Sequence, residues 1–174
     1  MKTLLISLLF CAFVAFSIKL KYQLLWATSP LEALPIDKPL QDFSLSDLTG
    51  QQYTLSKLTA DKKLVMINFW GSWCGPCRLE MPQFEEMYKQ KSKEGLIILA
   101  VDENDERADL DAYLKKQPLS FPVLLDPNGA LAKQLGIRAY PTTILVGPNG
   151  KVLETVEGMQ SYIAYTVERH LPTP

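Results

Sequence analysis

The chain has 174 residues, 47% of them hydrophobic and 21% charged. That balance suits one globular domain and excludes a disordered chain. Eighteen Lys and Arg against nineteen Asp and Glu give a net charge of -1. No basic excess exists for phosphate contacts, so no nucleic-acid partner is expected.

Leu4 to Ile18 is an unbroken run of apolar residues and serines behind Lys2. It is short for a bilayer-spanning helix, which needs about 17–25 residues, but suits a signal-peptide core. Ala15-Phe16-Ser17 offers small residues at a cleavage spacing. Apolar character resumes after Lys19 and Lys21 with Tyr22, Leu24, Leu25 and Trp26, as in an uncleaved anchor. Residues 1–26 therefore read as a signal peptide or an N-terminal membrane anchor. Either way the remainder is expected outside the cytoplasm, in a bacterial periplasm or at the outer face of the cytoplasmic membrane. Pro30, Pro35 and Pro39 mark residues 27–41 as a linker, and residues 42–174 as the domain.

Within that domain, Phe43–Ser46 and Gln52–Leu55 read as two short strands around Thr49-Gly50. Leu64–Trp70 is nearly all apolar, the pattern of a strand covered on both faces. A helix is predicted from Pro76 to about Lys91, with Met81, Phe84 and Tyr88 on one face. Leu96–Val101 is a second buried strand, and Asp105–Lys116 a helix with Leu110, Tyr113 and Leu114 inward. Phe121–Leu125 is a strand, followed by a turn at Asp126-Pro127-Asn128-Gly129 and a short helix to Leu135. Thr142–Val146 and Lys151–Val156 form a hairpin around Gly147-Pro148-Asn149-Gly150, and a last helix runs from about Gln160 to Leu171. Buried strands alternating with helices imply an α/β sheet covered on both faces.

Three cysteines are present. Cys11 lies in the apolar leader and reads as a passive side chain. Cys74 and Cys77 are separated by Gly75-Pro76. A structural disulfide closing so short a loop gains only ~1.9 kcal/mol in the chain-entropy model, against ~3 for a 15-residue loop. Zinc needs about four ligands, and the domain offers only Cys74, Cys77 and His170. Covalent haem attachment wants a histidine where Arg78 stands. Redox chemistry is the favoured use. Cys74 would begin a helix, where unpaired N–H groups and the dipole favour a thiolate, and Pro76 suits the first turn. Cys77 would follow on the same face, placed to resolve a mixed disulfide.

The stretch Asn68-Phe69-Trp70-Gly71-Ser72-Trp73-Cys74-Gly75-Pro76-Cys77 resembles the active site of the thioredoxin superfamily, with Pro82 five residues after the second cysteine. With two leading strands and an exported domain, residues from about 36 to 171 look like the TlpA/ResA thiol–disulfide oxidoreductases. The resemblance implies a thioredoxin-like α/β fold: a central mixed β-sheet, helices on both faces and an added N-terminal strand pair. It implies a protein-disulfide reductase without bound cofactor or metal, acting as a monomer. The implied partners are disulfide-bearing exported proteins, apo-cytochrome c among them, and a membrane electron donor.

The resemblance also implies a cis bond before Pro141, with Tyr140 bordering a substrate groove that Trp73, Gly75 and Pro76 share. Trp73 is expected exposed and Trp70 in the core. Asn68 departs from thioredoxin, which has a buried aspartate there to take the proton of the second cysteine; TlpA/ResA members often share the asparagine. Glu80, three residues beyond Cys77, is the substitute candidate, set against a solvated first-turn glutamate. Asp102-Glu103-Asn104-Asp105-Glu106 hints at a calcium loop but lacks the central glycine and the closing glutamate, so it reads as a helix start with a capping side chain. Two other classes compete. A peroxiredoxin-like peroxidase would need a threonine where Gly71 stands, and a non-catalytic binding module would not need both cysteines.

Overall fold

The computed structural model describes residues 34–60 and 63–171. The expected leader and the first part of the expected linker, residues 27–33, lie outside them. Strands β1 (Ser44–Ser46) and β2 (Gln52–Thr54) pair antiparallel as a separate two-stranded sheet, followed by a one-turn helix α1 (Leu55–Leu58). The central sheet contains β3 (Leu64–Trp70), β4 (Leu96–Glu103), β5 (Val123–Asp126), β6 (Thr142–Val146) and β7 (Val152–Glu157), in the order β5-β4-β3-β6-β7. β3 runs parallel to β4 and antiparallel to β6, so the sheet is mixed. The helices are α2 (Gly75–Lys91), α3 (Arg107–Lys116), α4 (Ala130–Gln134) and α5 (Ile163–His170).

β3 lies in the middle and every one of its residues is buried. Its alternation sorts two cores. Leu64, Met66 and Trp70 share one with Phe84 of α2, Leu110 of α3 and Val167 of α5. Val65, Ile67 and Phe69 face the other, with Leu55 of α1 and Leu131 of α4. Asn68 falls by parity on the first face, the side that carries the cysteine helix.

The expected linker boundary needs correction. Asp37 and Leu40 donate backbone hydrogen bonds to Val152 and Gly150, and Leu40 is buried. Edge strand β7 offers free backbone groups to this segment, so the domain begins before residue 42. Both Pro-Asn-Gly turns behave as expected: Asn128 and Gly129, like Asn149 and Gly150, adopt positive φ. The buried Asp126 carboxylate accepts from the N–H groups of Leu131 and Ala132, satisfying the start of α4.

Candidate active site

Gly71, Ser72 and Trp73 carry the chain from the end of β3 to α2. Cys74 is the N-cap of α2: its backbone is extended, and Pro76 stands in the first turn, where the missing N–H costs nothing. Cys74 and Cys77 are disulfide-bonded with Cα atoms 5.3 Å apart, and Cys74 Sγ accepts the Cys77 N–H at 3.2 Å. A helix N-terminus that already donates to this sulfur is suited to hold it as a thiolate once the bond is reduced. Cys77 is fully buried, whereas Cys74 retains 5% exposure.

Trp73 is 55% exposed and packs edge-on against Tyr140, ring centroids 5.4 Å apart. The Tyr140–Pro141 bond is cis, and Pro141 leads directly into β6. Burial, then a hydrogen bond with Glu103, pushes the Tyr140 phenol far above its ordinary value, so Tyr140 stays neutral. Trp70 is fully buried and tilted against Tyr113 at 5.2 Å.

Beneath the cysteine helix lies a polar cluster inside the apolar core. Asn68 Nδ2 donates to Glu80 Oε1 at 2.9 Å and to Thr143 Oγ1 at 3.0 Å. All three residues are buried, so Glu80 is not a solvated first-turn carboxylate. The spacing carried a hint of that burial: Glu80 lies four residues before Phe84 and three after Cys77, beside the apolar stripe. Thr143 had no signal of its own beyond its alternation on β6. Burial pushes the Glu80 carboxyl up to about 7 against the opposing hydrogen bond from Asn68.

Glu85, one turn further on, shows the contrast. It too is buried, but it accepts the Ser120 N–H at 2.7 Å and the Ser120 hydroxyl at 2.6 Å, with Lys89 3.3 Å away. Burial alone would raise the Glu85 carboxyl; the Ser120 bonds and Lys89 outweigh it and hold it below its usual range. Glu85 is a fixed anion that ties down a loop. Glu80 is a carboxyl poised to gain or lose a proton.

The acidic run Asp102–Glu106 does start a helix, but the expected cap is absent: Glu106 occupies the N-cap without a side-chain bond, and Asp105 reaches Ser72 instead. Among the described residues no cluster of His, Cys, Asp and Glu could hold a metal, and no helix is long and apolar enough to cross a membrane. His170 lies in the last turn of α5, 3.3 Å from Glu154.

Comparison with known proteins agrees with this geometry. Residues 36–155 match the model of the AhpC/TSA family. The thiol-disulfide oxidoreductase ResA of Bacillus thuringiensis is 32% identical over 156 residues, covering 90% of this chain and 86% of that protein. The ResA of Geobacillus thermodenitrificans is 35% identical over 126 residues, covering 72% and 71%. The chain belongs to this family of thiol–disulfide oxidoreductases. Its fold is similar to that of a protein assigned as the thiol:disulfide interchange protein DsbE of Chlorobium tepidum, at TM-score 0.71 and 31% identity, covering 79% of this chain and 96% of that one. An exposed lipoprotein thioredoxin of Streptococcus pneumoniae, Etrx1, matches at TM-score 0.63 and 30% identity, covering 74% and 97%. As an oxidoreductase of the ResA type, the chain exchanges disulfides with its substrates through the Cys74–Cys77 pair.

Proposed function

We propose that the chain is an extracytoplasmic protein-disulfide reductase in which Cys74 attacks and Cys77 resolves. The Cys74 thiolate attacks one sulfur of a client disulfide, forming a mixed disulfide and releasing the client's other sulfur as a thiolate. Cys77 then gives up its proton, and its thiolate attacks Cys74 Sγ. The Cys74–Cys77 disulfide forms, the second client sulfur leaves, and two electrons have passed to the client. Glu80 is the proton acceptor for Cys77, directly or through a water, in place of the carboxylate that Asn68 cannot supply. Trp73, Gly75, Pro76, Tyr140 and Pro141 border the groove that receives the client.

The observation that carries this reading is Cys74 at the N-cap of α2 with only Gly75 and Pro76 before its partner. No charged side chain inside the motif shifts the couple, and Gly-Pro is the pair thioredoxin carries. Reduction potentials of ~-270 mV for thioredoxin and ~-120 mV for the oxidant DsbA differ by roughly 7 kcal/mol, so direction is measurable. Clients include apo-cytochrome c and other exported proteins with disulfides, and the electrons come from a membrane donor. Residues 1–26 deliver the domain to the outer side of the membrane, as signal or anchor.

The test is equilibration of the domain with graded thiol–disulfide buffers, together with insulin-disulfide reduction and peroxide consumption. A couple near the thioredoxin value, insulin reduction and no peroxide turnover are expected. A couple near that of DsbA would reverse the direction. A Cys77→Ala variant should trap the clients as mixed disulfides.

A further inference from the structure

The polypeptide leaves two neighbouring strands side by side. β3 and β4 are parallel, with Trp70 opposite Asp102, so Gly71–Trp73 and Asn104–Glu106 emerge together at the same end of the sheet. Asn104 takes a left-handed conformation, φ 64°, which turns the chain sharply after β4. Asp105, next in line, does not cap the helix it precedes. Its carboxylate spans to the other loop, accepting the Ser72 N–H at 2.6 Å on one oxygen and the Ser72 hydroxyl at 2.8 Å on the other.

A second link runs beside this one. Trp73 Nε1 donates to the Glu103 carbonyl at 3.3 Å, and the indole lies so close over Gly71 that a side chain there would collide with it. The Gly71 carbonyl in turn accepts the Cys74 N–H at 3.0 Å. A short chain of contacts therefore runs from Asp105 through Ser72 and the Gly71 turn to the reactive cysteine. The Asp105–Ser72 contact is the charge-assisted member, and such bonds are stronger than neutral ones.

We propose that Asp105 is a positioning residue for disulfide exchange: by binding both the N–H and the hydroxyl of Ser72, it fixes the loop that presents Trp73 and Cys74 to a client disulfide. This rests on the exchange reaction at Cys74 and adds a residue 31 positions away in sequence, on the loop of another strand.

What stands behind Asp105 supports the assignment. Asp102 is 3% exposed, and one of its oxygens has no protein partner among the described residues. Burial, followed by the hydrogen bond and charge of Asp105, pushes its carboxyl up to about 8. Asp102 therefore keeps its proton at neutral pH and adds no negative charge of its own beside Asp105. Attack on a disulfide demands alignment of three sulfurs, and misplacement by about 1 Å can cost on the order of a hundredfold in rate.

The test compares the parent domain with Asp105→Ala, Asp105→Asn, Ser72→Ala and the Asp105→Ala/Ser72→Ala double variant. Insulin reduction should fall about tenfold or more in Asp105→Ala, within that alignment range. The thermal midpoint of the oxidised protein should stay close to the parent's. Asp105→Asn should recover most of the rate, because its amide oxygen still accepts the Ser72 N–H and its amino group can donate to the hydroxyl. The double variant should be no slower than Asp105→Ala alone, since both changes cut the same link. Parent-like rates in Asp105→Ala, no recovery in Asp105→Asn, or additive losses would each overturn the proposal. Should Asp105→Ala fail to fold, Ser72→Ala and Asp105→Asn carry the comparison, and parent-like exchange in Ser72→Ala overturns it. The Ser72 amide proton gives a readout independent of activity: it should lie far downfield and exchange slowly in the parent, and lose both properties in Asp105→Ala. A parent that holds this amide but reduces no disulfide would refute the exchange reading and not the clamp.

Discussion

Asn68 and Glu80 are joined inside the protein by a 2.9 Å hydrogen bond from Nδ2 to Oε1, one from the central strand and one from the cysteine helix. Both are buried on the face that carries Cys77. An amide at residue 68 cannot take a proton, but it can hold a carboxyl in place. In the proposed mechanism the proton site therefore moves from the strand to the helix, and the strand residue becomes its support. On that proposal the resolving step depends on Glu80 and the attacking step is largely independent of it.

Glu80→Gln should therefore slow the release of a mixed disulfide while leaving Cys74 alkylation almost unchanged. General-base help is typically worth ~10²–10⁴-fold, so even a partial role stands clear of assay error. Rapid mixing of the reduced protein with a labelled client disulfide would measure the two steps separately. Equal resolution rates for variant and parent across roughly pH 6–9, a range set around the usual titration window of such a base, would remove Glu80 from the mechanism.

The same carboxyl sets a pH dependence of stability. Glu80 holds its proton up to about 7 in the folded protein, whereas its ordinary value is 4.5. Between these values the folded state binds a proton that the unfolded chain has released, so stability falls as pH rises through the window. It is fully present below about 4.5 and reaches a lower plateau above about 7. Glu80→Gln removes this loss. Relative to the parent, its unfolding free energy should gain with pH by up to about 3 kcal/mol, at roughly 1.36 kcal/mol for each unit of pKa shift. Urea titrations at several pH values would give the difference; a constant offset between the two proteins would contradict it.

Cys74 and Cys77 should differ sharply once reduced. Cys77 is sealed and Cys74 sits at the helix N-terminus with slight exposure. Iodoacetamide should label Cys74 first, by about an order of magnitude or more, and the rate should follow a thiolate pKa below the free value of ~8.5. Peptide mapping after brief labelling reads the order. Preferential modification of Cys77 would exchange the two roles.

The sheet was legible because burial on both faces demands apolar runs, and Leu64–Trp70 and Leu96–Val101 are such runs. The cysteine site was legible because Cys74, Gly75, Pro76 and Cys77 carry their geometry locally, within one helical turn. The surroundings of Glu80 and Asp105 were not legible, for a shared reason. Each has a local role that its position suggests, a solvated first-turn acid for one and a helix cap for the other. Tertiary neighbours decide otherwise: Asn68 and Thr143 close over Glu80, and Ser72 draws Asp105 across to a different strand's loop. Local sequence states what a side chain can do, and the partner that claims it comes from elsewhere in the chain. The boundary at residue 42 failed similarly, since Pro39 and Leu40 read as linker until β7 offers its edge.

Asn68→Asp tests whether the amide is needed as a support. The substitution is nearly isosteric but replaces the donor to Glu80 and Thr143 with a second carboxyl about as close to Glu80 as the present 2.9 Å. Two carboxyls in such contact, buried together, cannot both ionise; they share one proton, and the second ionisation is pushed strongly upward. Below neutral pH the shared proton keeps the pair bound and the variant should fold near parental stability. As pH rises past neutral, the second proton must leave a buried anionic pair, so stability should fall more steeply than in the parent. Mixed-disulfide resolution should also change its pH dependence, because the acceptor is now a coupled pair whose two protons leave at separate pH values. Denaturant midpoints and resolution rates from roughly pH 6 to 9, spanning the raised Glu80 value of about 7, measure both. A variant with the parent's pH profile in both would mean that Asn68 neither supports Glu80 nor couples to the resolving cysteine.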